Sequence, residues 1–125
     1  MNNKETILLI EDDSFLLQMY ATKLELAGFA VEVASDGAKG LQMAGKILPD
    51  LILLDLIMPK MDGFVVLEAL KKNDNTKDIP VIILTNLGQR EDVQKCLAMG
   101  AVDYMIKAHY VPAEVVSKIR AVLGQ

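Results

Sequence analysis

Leu51-Ile-Leu-Leu-Asp55-Leu-Ile-Met-Pro59 decides how the rest of the chain is read. Four apolar residues run without alternation into an aspartate, and Pro59 with Asp62-Gly63 signals a turn soon after. A strand that is apolar at every position is buried on both faces, as in a parallel sheet covered by helices. An unpaired buried charge costs several kcal/mol, so such a strand has no place for a carboxylate along its length. Asp55 is therefore expected at the carboxyl end, where the sheet opens into a crevice and ligands bind in open α/β sheets. Taken alone, Asp55 serves equally well as the first residue of a turn.

Working outward, the chain alternates short apolar runs with segments of helical periodicity. Thr6–Ile10, Phe29–Ala34, Leu51–Leu54, Val81–Leu84 and Val102–Ile106 read as strands. Between them, helices are expected over Phe15–Ala27 with Ser14 as N-cap, from Asp36-Gly37 through Ile47, over Phe64–Lys72 and over Glu91–Met99. Gly28 and Gly100 are the stops of two of these, and Pro112 opens a last helix reaching Leu123. Five such units without repeat or linker predict an α/β fold, a (βα)5 doubly wound five-stranded parallel sheet.

At 125 residues the chain is read as one domain, 1–125, with a normal core and no residues left for an output domain after Gln125. A net charge of −4 without a basic cluster argues against direct nucleic-acid binding. No apolar run approaches the ~20 residues that cross a bilayer, which makes the cytoplasm the expected compartment. The single cysteine, Cys96, excludes an internal disulfide and reads as a packed small hydrophobe. His109, the one histidine, reads as a surface loop residue.

Strand ends then converge. The first brings Glu11, Asp12 and Asp13, the third Asp55, the fourth Thr85 and the fifth Lys107. Adjacent carboxylates raise one another's pKa unless a cation intervenes. Mg²⁺ suits so few oxygen ligands and leaves room for water and phosphate. Acid, metal, hydroxyl and lysine together suit phosphoryl transfer, where positioning and charge neutralisation carry the catalysis. A solvated acidic rim with one neutralising lysine is the plainer reading, but it does not account for four strand ends agreeing.

These residues resemble the receiver domains of two-component response regulators. The resemblance spans essentially the whole chain: Leu8-Leu-Ile-Glu-Asp-Asp13, Leu53-Leu-Asp-Leu-Ile-Met-Pro59, Met61-Asp-Gly63, Pro80-Val-Ile-Ile-Leu-Thr85 and Gly100-Ala-Val-Asp-Tyr-Met-Ile-Lys107. It implies flavodoxin-like strand order 2-1-3-4-5, with Asp55 accepting a phosphoryl group. It further implies Asp12 as direct Mg²⁺ ligand, Glu11 as its water-bridged neighbour, Asp13 as a peripheral acid and the Ile57 carbonyl as a further ligand. Thr85 resembles the switch threonine, Lys107 the phosphate-pairing lysine, and Tyr104 the aromatic that turns inward when the threonine moves. The implied partners are a histidine kinase or phosphotransfer protein and a downstream protein target, with the chain a monomer or phosphorylation-dependent dimer. Such a chain is no conventional enzyme, though it catalyses its own phosphorylation from a phosphodonor and its own dephosphorylation.

Phe15, Leu16 and Met19 lie beyond the stripe assigned to the sheet (Leu17, Tyr20, Ala21, Leu24, Ala27) and are expected to dock a kinase helical bundle. One departure stands out: Lys107 is followed by Ala108 where resembling receivers commonly carry proline. A trans peptide and a differently routed loop are expected there. Among rivals, an FMN carrier would have its phosphate repelled by Glu11-Asp12-Asp13, and a dinucleotide enzyme lacks its glycine-rich turn. A haloacid-dehalogenase-type phosphohydrolase would carry a second acid where this chain has Ile57. The remaining alternative is a phosphate-independent interaction module of the same fold.

Overall fold

The computed structural model describes residues 4–125. Its strands are β1 (Thr6–Ile10), β2 (Ala30–Ala34), β3 (Leu51–Leu54), β4 (Val81–Thr85) and β5 (Asp103–Ile106). Its helices are α1 (Ser14–Leu26), α2 (Gly37–Ile47), α3 (Gly63–Lys72), α4 (Arg90–Ala98) and α5 (Pro112–Val122). All strand pairs are parallel, in the order β2-β1-β3-β4-β5, as the sequence predicts.

The unbroken apolar runs are explained by which way alternate side chains point. Ile7, Leu9, Leu51, Leu53, Ile82 and Leu84 form one core with Tyr20 and Leu24 of α1 and Val115, Val116 and Ile119 of α5. Leu8, Ile10, Ile52, Leu54, Val81 and Ile83 form the other, with Ala44 of α2, Val66, Leu67 and Leu70 of α3, and Cys96 of α4. Successive residues of a strand face opposite sides, so a sheet covered on both faces leaves no polar position in its central strands.

Three helices start on an aspartate whose carboxylate takes up otherwise orphaned N–H groups. Asp36 accepts from Lys39 N (2.8 Å) and Asp62 from Val65 N (3.0 Å). For α1 the cap is Asp13, which accepts from Phe15 N and Leu16 N, and not Ser14, which is already the first helical residue. A carboxylate on the preceding residue reaches both free N–H groups, so the helix begins one residue earlier than expected. Gly28 and Gly100 are left-handed, with φ of 102° and 107°, as their roles as helix stops require.

Boundary shifts elsewhere are of one residue. Phe29 is buried but precedes β2, and Val102 precedes β5 while still donating its N–H to Val81 O at 2.9 Å. Helix α4 runs one residue earlier than expected at both ends, and α3 also starts one residue earlier, at Gly63; α1 and α5 each stop one residue short of the expected end. After β5 the chain makes a short 3₁₀ turn, Lys107–His109, and no peptide bond is cis among the described residues, so the expected trans Lys107–Ala108 bond is present.

Candidate functional site

Register places the acids. Ile10 pairs with Leu54, so Glu11 and Asp55 leave the sheet side by side, and Asp55 N donates to Ile10 O at 3.1 Å. On the other side Thr85 pairs with Ile106, which sets Lys107 one step beyond the end of the sheet. The loop after Asp55 folds back tightly. Gly63 N donates to Leu56 O at 2.9 Å, and a Cβ on Gly63 would stand 2.3 Å from the Asp55 carbonyl oxygen and 2.5 Å from Leu56 Cα. Only glycine allows that approach, so the Asp62-Gly63 turn signal is also a packing requirement beside the candidate acceptor.

Glu11, Asp55 and Thr85 are buried, at 2%, 6% and 0% exposure, in a polar cluster at the carboxyl end of the apolar central strands. Lys107 Nζ donates to Glu11 Oε1 and, at 2.9 Å, to Asp55 Oδ2. Each carboxylate holds a second donor: Asp13 N to Glu11 Oε2 at 3.0 Å, and Ile57 N to Asp55 Oδ1 at 3.3 Å. Burial works to lower the Lys107 pKa, but the bonds to Glu11 and Asp55 outweigh it and hold the ammonium above its ordinary range. Burial pushes Glu11 up, an effect that its bonds to Lys107 and Asp13 N only partly offset and that neighbouring Asp55 reinforces.

Glu11, Asp12 and Asp55 can each bring one carboxylate oxygen within 4.8 Å of the others. Among the described residues, three carboxylates face one ammonium, that of Lys107, which leaves an excess of negative charge at the site. All donors are hard oxygens, and Asp12 is exposed to a crevice of about 290 Å³ that also borders Leu16, Ile57 and Asn86. The donor set therefore fits a small divalent cation. Asp13 borders the crevice, but its carboxylate is spent on capping α1, consistent with a peripheral acid.

Not every expected residue meets the others. Thr85 accepts a hydrogen bond from Leu87 N at 3.3 Å, and its hydroxyl bonds to neither Asp55 nor Lys107 among the described residues. Tyr104 is partly buried against the α2–α4 core, its hydroxyl donates to the Leu87 carbonyl, and burial pushes its phenol pKa up to about 12. Leu87 thus joins Thr85 to Tyr104 through its own backbone, N–H to one and C=O to the other. Sequence reasoning missed this link, since any residue offers those two groups. Of the proposed docking residues, Phe15 is 76% exposed, whereas Leu16 and Met19 are half-buried against the α1–α5 core.

A parallel sheet in this order, with an acid crevice at its carboxyl edge and a lysine spanning it, is shared by a known class. Residues 7–120 match the family model for the response regulator receiver domain. The DNA-binding dual master transcriptional regulator RpaA of Synechocystis sp. is 44% identical over 117 residues, which are 94% of this chain and 48% of RpaA. The chain spans about half the length of the curated relatives it matches. Among solved structures, Vibrio cholerae chemotaxis protein CheY4 superposes with a TM-score of 0.90 at 30% identity, covering 96% of this chain and 99% of that one. The BeF3-activated N-terminal receiver domain of Klebsiella pneumoniae RstA gives 0.88 at 29% identity, covering 97% and 100%. The chain belongs to the response regulator receiver domain family.

Proposed function

We propose that this chain is a phosphorylation-dependent signalling switch that accepts a phosphoryl group on Asp55 from a histidine kinase or phosphotransfer protein. The observation that carries the reading is the placement of Asp55: nearly buried, bonded to Lys107, and grouped with Glu11 and Asp12 at the open end of the sheet. An Asp55 carboxylate oxygen attacks phosphorus, an O–P bond forms, the donor's P–N bond breaks, and its electron pair returns to the imidazole. Mg²⁺ held by Asp12, Asp55 and the Ile57 carbonyl, with Glu11 reaching it through water, would neutralise the charge that gathers on the transferring group. Lys107 keeps its positive charge throughout and can move from the carboxylate to the phosphoryl oxygens.

The product replaces one negative charge by about two and adds three acceptor oxygens. Thr85 can then exchange the bond it accepts from Leu87 N for one it donates to the phosphoryl group. Because Leu87 also holds Tyr104, that exchange disturbs the α4–β5–α5 surface, which controls a downstream protein. Shifting such an equilibrium from about 1:99 to 99:1 takes roughly 5.5 kcal/mol, and two or three charge-assisted hydrogen bonds at ~1.5–3 kcal/mol each supply it. The same groups position water for hydrolysis, so the chain catalyses both its own phosphorylation and its own dephosphorylation.

Residues 1–125 act in this reading as one receiver domain in the cytoplasm, monomeric or dimerising on phosphorylation, with Phe15, Leu16 and Met19 meeting the kinase. Among the described residues no helix is long and apolar enough to cross a membrane. The DNA binding in the name of RpaA belongs to a protein about twice as long, and no direct nucleic-acid contact is proposed for this chain. Acetyl phosphate tests the chemistry. The wild-type chain is expected to gain one base-labile phosphoryl group with Mg²⁺ and none in EDTA, and Asp55→Asn to gain none. Stoichiometric labelling of Asp55→Asn at another position would refute the acceptor assignment.

A further inference from the structure

A groove of about 520 Å³ runs between α1 and α5, away from the acid crevice. Its apolar lining includes Leu26, Val111, Pro112 and Val116, and among the described residues its charged lining is Lys23 and Arg120 alone. Leu26 is 78% and Val111 58% exposed, although both are apolar. On a chain of net charge −4, a groove whose charged groups are all cationic is locally inverted. Helix stabilisation explains only part of this. Arg120 donates to Ala27 O at 2.9 Å and so closes the end of α1, but Lys23 has no ion-pair partner among the described residues.

We propose that the α1–α5 groove is a second docking surface, which takes an amphipathic helix bearing acidic side chains from a partner protein. The occupant is a helix because both walls are helices whose backbone groups are satisfied internally; an extended peptide would find no main-chain partners there. Pro112 to Arg120 spans roughly 12 Å at 1.5 Å per residue, which matches two to three turns of a partner helix. Its leucine-type side chains pack on Leu26, Val111 and Val116, and its carboxylates meet Lys23 and the free donors of Arg120. A two-fold contact between two copies through this groove does not fit, because it would bring the cationic groove of one copy onto the same cationic groove of the other. The surface lies further along α1 than Phe15, and Lys23 also borders the shallow recess beside Phe15 and Met19, so the two surfaces adjoin.

The test uses the full chain and two synthetic, end-capped helical peptides of about five turns. Both carry leucines along one face; one has two glutamates four residues apart on the flanking edge, and the other has lysines in their place. The acidic peptide is expected to bind at least ~10-fold more tightly by fluorescence anisotropy, equivalent to about 1.4 kcal/mol. Amide shifts on binding are expected within 23–27 and 111–120. Lys23→Glu, a change at an exposed site that leaves Arg120 balanced by one acid, should abolish the preference between the peptides, and Leu26→Asp should weaken both. Equal affinity for the two peptides, binding of neither, shifts centred elsewhere, or dimerisation of the chain through this face would each overturn the proposal.

Discussion

Lys107→Met removes the ammonium that bridges Glu11 and Asp55 while keeping most of the aliphatic stem. Breaking a buried ion pair by deleting one partner typically costs 3–5 kcal/mol, because the other charge is left uncompensated. Here two carboxylates lose the same counterion. Each retains one backbone donor, Asp13 N for Glu11 and Ile57 N for Asp55, and the crevice admits water. The lower end of the range therefore applies, about 3 kcal/mol at pH 7.5 in EDTA. For a domain of this size that is a fall in Tm of roughly 10–12 °C.

The loss should depend on pH. Glu11 is already raised by burial, and without Lys107 it rises further. A carboxyl whose folded pKa exceeds its unfolded value contributes stability below the unfolded pKa and loses it as pH rises through the folded one. The variant should consequently recover part of its deficit on acidification toward the ordinary carboxylate range. Mg²⁺ should restore part at neutral pH by binding only the native state. Adding Glu11→Gln removes one stranded charge, so urea denaturation of the double variant should show a coupling of about 1 kcal/mol or more. A loss below about 1 kcal/mol, the value of a surface pair, and independent of pH, would show that the acids are solvated and that Lys107 is not their counterion.

Gly63→Ala should destabilise the chain by at least the ~1–3 kcal/mol of an overpacked core, since the two nearest atoms met by the new Cβ belong to the backbone, and urea denaturation measures it. Cys96 is fully buried, and burial pushes its thiol up to about 11, so it should resist a disulfide-exchange reagent at pH 8 until urea opens the fold. Phe15→Asp with Met19→Asp should slow phosphotransfer from the cognate kinase at least ~10-fold while sparing acetyl phosphate labelling; equal loss in both would mean a damaged site.

The sheet was legible because β1, β3 and β4 carry apolar residues at successive positions, a pattern that a doubly covered parallel sheet accommodates, and because helical segments alternate with them. Asp55 and Lys107 were legible because a charge after such a run has to leave the sheet at its end. The α1 cap was not: Asp13 and Ser14 are both good caps, and only the backbone decides which carboxylate or hydroxyl reaches the free N–H groups. Nor was the Leu87 link between Thr85 and Tyr104, which consists of backbone groups common to every residue. The α1–α5 groove was equally hidden, because Lys23 and Arg120 are far apart in the chain and neither stands in a motif.

The central claim, that charge on Asp55 is read out at the α4–β5–α5 surface, is tested most directly by amide NMR spectra of the full chain with and without Mg²⁺ and beryllofluoride. The expected shifts start at Asp55, pass through Thr85 and Leu87, and reach Tyr104 and the face of α4, and all of them vanish in Asp55→Asn. Shifts confined to the acid crevice, or unchanged in Asp55→Asn, would contradict the account.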